Sequence, residues 1–92
     1  MIEPVYTTAA RNVLISLDRN DREDAVHLVS LAADNLQKGT SFNGISKLDM
    51  PGRDVFSVRL SEQLRIIIEK IGAEIKVIDI INFAFMKSMF KQ

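Results

Sequence analysis

The feature that most constrains this chain is a change of hydrophobic period near Gly39. From Thr7 to Lys38 the apolar residues recur at helical spacing, first Ala10, Val13, Leu14 and Leu17, then Ala25, Leu28, Val29, Ala32 and Leu36. Each set forms one stripe along a helix, so two amphipathic helices are expected. Beyond Asp54 the pattern becomes β-like, with Val55–Leu60, Leu64–Lys70 and Ile75–Phe83 rich in β-branched residues and separated by short turns. The order ααβββ, with a short first strand near Ile2–Tyr6, predicts an α+β domain spanning 1–92. Two antiparallel helices are expected to pack on one face of a three- to four-stranded antiparallel sheet, and a βαβ arrangement is not expected.

Local signals support these boundaries. Asp18-Arg19-Asn20-Asp21-Arg22-Glu23-Asp24 offers an Asp or Asn cap for the second helix and places acids at its positive end. Gly39 suits the left-handed position that ends a helix. Residues 39–54, punctuated by Gly39, Gly44, Pro51 and Gly52, read as a loop.

Register in the first hairpin follows from its turn, Ser61-Glu62-Gln63, which sets Leu60 against Leu64. Val58 then faces Ile66 and Phe56 faces Ile68, giving one apolar face for the helices. On the other face Arg59 lies directly against Arg65, Ser57 against Ile67 and Val55 against Glu69. Opposed like charges destabilise a sheet unless an anion lies between them. Two readings stay open: the arginines splay into solvent or pair with Glu69 or Asp79, or they form a cradle for phosphate, which guanidinium forks bind bidentately.

Composition removes other classes. Hydrophobic residues are 47% and charged residues 26% of the 92, as in globular chains and unlike disordered ones. Twelve bases against twelve acids give a net charge of zero, so no overall field favours nucleic acid or an anionic membrane. Cysteine is absent, which fits a reducing, cytoplasmic address; no run is long and apolar enough to span a bilayer, and the N-terminus lacks a signal-peptide pattern. There is no Gly-rich phosphate loop after a strand, no metal-ligand spacing and no nucleophile elbow, so neither cofactor nor metal is expected.

The run Lys47-Leu48, then Gly52-Arg53-Asp54-Val55-Phe56-Ser57-Val58-Arg59-Leu60, then Leu64-Arg65-Ile66-Ile67-Ile68, resembles a segment of the RelE/ParE superfamily of toxin–antitoxin toxins. Two helices before a twisted antiparallel sheet agree with that family, and the likeness runs from about Thr7 to Asn82 in coarse pattern. The resemblance implies a type II toxin neutralised by a cognate antitoxin and acting as a ribosome-associated mRNA endoribonuclease. In such members a ribose 2′-hydroxyl attacks the neighbouring phosphate without metal. The alternative is a non-catalytic protein-binding module of the same fold, either a ParE-like inhibitor of DNA gyrase or a degenerate toxin.

Carried over by residue, the resemblance makes Arg59 and Arg65 catalytic, with Lys47, Arg53 and Lys87 as RNA or phosphate contacts. The chain departs from the family at its end. Where many active members carry His or Arg residues followed by Tyr, this sequence reads Ile80-Ile81-Asn82-Phe83-Ala84-Phe85-Met86-Lys87-Ser88-Met89-Phe90-Lys91, without a His or Tyr for proton transfer. Phe83, Met86 and Phe90, with Phe85 and Met89 beside them, form a wide apolar arc at helical spacing. That arc suits core closure or a partner site, and the resemblance assigns Phe85, Met89 and Phe90 to the antitoxin. His27, the only histidine, reads as a helix-surface residue, and Tyr6, the only tyrosine, as a packing residue.

Overall fold

The computed structural model describes residues 3–40 and 42–83. Its elements are β1 (Val5–Tyr6), α1 (Thr8–Ser16), α2 (Arg19–Lys38), β2 (Ile45–Lys47), β3 (Asp54–Arg59), β4 (Leu64–Ile71) and β5 (Glu74–Asn82). Both helices begin at side-chain caps. The Thr7 hydroxyl accepts from the Ala10 amide at 3.1 Å while donating to the Ile78 carbonyl at 2.9 Å, so one residue starts α1 and ties it to β5. The Asp18 carboxylate accepts from the Asp21 amide at 2.8 Å, and α2 ends at Gly39, whose φ of 72° is left-handed. Asp18→Ala should therefore lower unfolding free energy by about 1 kcal/mol, read as a shifted urea midpoint with an unchanged slope.

The strands form one sheet in the order β1-β5-β4-β3-β2. This is α+β as expected, with five strands where three or four were expected. The added strand is β2, which lies inside the 39–54 stretch expected to be a loop and pairs Ile45 with Val58, Ser46 with Ser57 and Lys47 with Phe56. Three residues show no period of their own, and pairing to β3 alone makes them a strand. β1 is the short first strand expected near Ile2–Tyr6, and it pairs with β5 in parallel, Val5 with Lys76 and Tyr6 with Val77; the sheet is otherwise antiparallel.

The hairpin register agrees with expectation at every pair from Val55↔Glu69 to Arg59↔Arg65. Val58, Ile66 and Ile68 are fully buried under the helices together with Ile75 and Val77. The helices meet that face through Ala10, Ala25, Val29, Ala32, Ala33 and Leu36, whose mostly small side chains suit close packing on a sheet.

A bulge sets the phase of β5. Ile68 pairs with Val77 but Ile67 pairs with Asp79, leaving Ile78 as the extra residue. Strict alternation from Ile75 and Val77 would send Asp79 into the core. The extra residue instead places Ile80 there, 3% exposed, and turns Asp79 to the opposite face in register with Ile67.

Candidate phosphate-binding face

The sheet face away from the helices carries Arg59 and Arg65 on adjacent strands in direct register. Alternation along β3 and β4 forces this: once Val58 and Ile66 enter the core, their neighbours Arg59 and Arg65 project the other way. The two guanidinium groups are held differently. Arg65 is half-buried; its Nη1 donates to the Ser61 carbonyl and, at 3.2 Å, to that of Leu64, and its Cζ lies 5.4 Å from the centre of the Phe83 ring. Arg59 is exposed, and its side chain makes no hydrogen bond or ion pair among the described residues.

Of the carboxylates weighed as partners, neither neutralises this pair. Glu69 is taken by Arg53, which donates from Nε at 2.9 Å and Nη2 at 2.7 Å in a bidentate fork. Asp79 accepts from the Ile80 amide at 2.8 Å and has no ion pair among the described residues. Two cations thus stand opposed on the sheet with no anion between them among the described residues, an arrangement that an oxyanion would stabilise.

The Arg53–Glu69 fork also makes a prediction. Its hydrogen bonds hold the Glu69 carboxyl below the usual glutamate range against the desolvation that would raise it, with smaller help from the Arg53 and Lys76 charges; the same fork holds Arg53 above its ordinary value. Glu69 therefore gives up its proton more readily in the folded chain than in the unfolded one. The fork stabilises the fold above the unfolded glutamate value of roughly 4.3, and that contribution fades as pH falls through the lower folded value. Thermal unfolding of Arg53→Gln between neutral and acid pH should show a shallower loss of stability than wild type; identical slopes would contradict this.

The other sequence-derived residues are dispersed. Lys47 pairs in register with Phe56, so it lies on the helix side of the sheet and not beside the arginines. There its ammonium contacts the Asp54 carboxylate at 3.3 Å, at a cleft of about 450 Å³ lined also by Leu36, Ile45, Phe56 and Lys70. Arg53 is on the arginine side but is engaged by Glu69. Lys87, Phe85, Met89 and Phe90 lie outside the described residues. His27 is exposed on α2, whereas Tyr6 packs on the core and burial pushes its hydroxyl up from the ordinary value. Sequence reasoning missed the Phe83 contact with Arg65; continuing the hairpin register into β5 brings Asn82 opposite Leu64 and so sets the next residue, Phe83, beside the turn.

Among the described residues no group of three or more His, Cys, Asp or Glu side chains is arranged to hold a metal ion, and no helix is long and apolar enough to cross a membrane.

No protein-family model matches the sequence. No curated protein matches it either. Solved structures do match the fold. RelE in the archaeal RelE–RelB complex from Pyrococcus horikoshii superposes with a TM-score of 0.71 at 16% identity, over 89% of this chain and 94% of that one. A chain of the heterotetrameric YoeB–YefM toxin–antitoxin complex from Staphylococcus aureus gives 0.70 at 13% identity, over 88% and 95%. YafQ from Escherichia coli gives 0.66 at 11% identity, over 94% and 98%. Two helices on a five-stranded, mostly antiparallel sheet, matched nearly end to end on both sides, give this chain the fold of the RelE, YoeB and YafQ toxins of toxin–antitoxin systems.

Proposed function

We propose that the chain is the toxin of a type II toxin–antitoxin system and cleaves ribosome-associated mRNA, without metal, at the face carrying Arg59 and Arg65. The observation that carries this reading is the arginine pair, in direct register and unneutralised among the described residues. In the cleavage, a ribose 2′-hydroxyl loses its proton and its oxygen bonds to the adjacent phosphorus. The bond from phosphorus to the 5′-oxygen then breaks, and that oxygen takes up a proton, leaving a 2′,3′-cyclic phosphate and a 5′-hydroxyl. Charge on the phosphoryl oxygens rises as the new bond forms, and guanidinium donors placed against those oxygens stabilise that increase more than the ground state.

Lys87 joins this reading as a further phosphate contact, while Arg53 and Lys47, each held by a carboxylate, serve as outlying RNA contacts. Phe85, Met89 and Phe90 are assigned to an antitoxin. The toxin–antitoxin complexes of similar fold from Pyrococcus and Staphylococcus support that partner. A cytoplasmic location follows from a ribosomal target.

Induction of the chain in a bacterial host, with mapping of mRNA 5′ ends during arrest, tests the proposal. New ribosome-dependent ends are expected. Arrest with DNA-damage signalling and no new ends would favour gyrase as target, and no arrest would favour a non-catalytic binding module.

A further inference from the structure

Phe83, which directly follows β5, has no place in the chemistry above, yet it is fixed against the residue that does. Its amide donates to the Gln63 carbonyl at 2.6 Å, joining the end of β5 to the β3–β4 turn. Its ring, in a residue 39% exposed, lies under the Arg65 guanidinium at 5.4 Å. From the turn itself the carbonyls of Ser61 and Leu64 accept from Arg65 Nη1. Nε–H and Nη2–H of Arg65 make no hydrogen bond among the described residues. The guanidinium is thus held by one nitrogen and by one face, and the donors suited to a bidentate grip on an oxyanion are left over.

We infer that Phe83 is a positioning residue for Arg65, its ring face and the turn carbonyls holding the guanidinium so that Nε and Nη2 are ready for phosphate. The inference rests on the ribonuclease reading and adds a residue that itself touches no phosphate. Arginine has several rotatable bonds, and ordering them before the substrate arrives removes that cost from the reaction. Arg59, free among the described residues, has no such support, so the two arginines are unequal: one prearranged, the other ordered by substrate.

The discriminating variants are Phe83→Leu, which keeps apolar bulk and removes the aromatic face, and Phe83→Trp, which keeps the face. Cleavage of ribosome-bound message by the full chain should show kcat lowered roughly tenfold in Phe83→Leu, with KM little changed, and near wild-type kcat in Phe83→Trp. In the same proteins, proton exchange at Arg65 Nε, followed by nitrogen-15 NMR and assigned through Arg65→Lys, should be faster in Phe83→Leu and unchanged in Phe83→Trp. Unchanged kcat and unchanged exchange in Phe83→Leu would overturn the inference, as would a Phe83→Trp variant impaired as much as Phe83→Leu. If the wild-type chain leaves the message intact, the ribonuclease reading falls and the exchange rate alone decides the positioning role: faster in Phe83→Leu upholds it, unchanged overturns it.

Discussion

Arg59→Ala is expected to abolish growth arrest and RNA cleavage, reducing kcat by about a hundredfold or more, the scale seen when one donor to a developing oxyanion is removed. The fold should be unaffected. Arg59 is exposed and unpaired among the described residues, so truncation should change stability by no more than about 0.5 kcal/mol. The sign of any change should be stabilising, because the substitution relieves the opposition to Arg65 across the hairpin. Arg59→Lys sharpens the test, since lysine keeps the charge and loses the planar fork. Substantial loss of activity in Arg59→Lys identifies bidentate phosphate binding, whereas near-normal activity identifies simple attraction. Unfolding of Arg59→Ala would make the residue structural and remove it from the site. Circular dichroism and a melting curve, measured beside the cleavage assay, separate these results.

The largest effect on stability is expected at the centre of the sheet. Ile66 is fully buried on β4, with Val58 across from it on β3 and Ile80 on β5, and the helices cover it. Ile66→Ala removes three carbons from a place where neighbours on both sides are fixed by strand pairing, so little collapse is available to fill the space. The expected cost is about 2–5 kcal/mol, a large fraction of the roughly 5–15 kcal/mol that holds a domain folded. Urea unfolding should show a much lower midpoint with the same slope. Ile71→Ala is the control. Ile71 is 51% exposed at the end of the same strand, and its truncation should cost far less. Equal costs at the two positions would contradict the placement of the core.

What was legible in the sequence was what local chemistry decides. The helical stripes, the caps at Asp18 and Gly39 and the hairpin pairing of Leu60 with Leu64 each depend on residues close in the chain, and the structure agrees with them. What was not legible depends on distant partners. β2 is three residues long and becomes a strand because β3 lies beside it. Its pairing also decides which way Lys47 points, so reading the segment as a loop left that residue free to join the arginines, whereas the sheet puts it on the helix side with Asp54. The bulge at Ile78 is equally hidden, because alternation through β5 gives no sign of an extra residue; the hint is that an unbroken alternation would bury Asp79. For the site, the arginine juxtaposition followed from one turn length, but their inequality did not. It arises because Glu69 is occupied by Arg53 and because Phe83 returns beside the turn, and both contacts are tertiary.

The claim that this fold carries a metal-independent ribonuclease is tested most directly by the chemistry of the ends it leaves. Ribosomes programmed with a defined message and treated with the purified chain should yield fragments ending in 2′,3′-cyclic phosphate and beginning with 5′-hydroxyl. A single 2′-deoxy substitution at the cleaved nucleotide should block the cut, because the attacking oxygen is gone. Fragments with 5′-phosphate ends, cutting that survives the 2′-deoxy substitution, or an intact message would contradict the account.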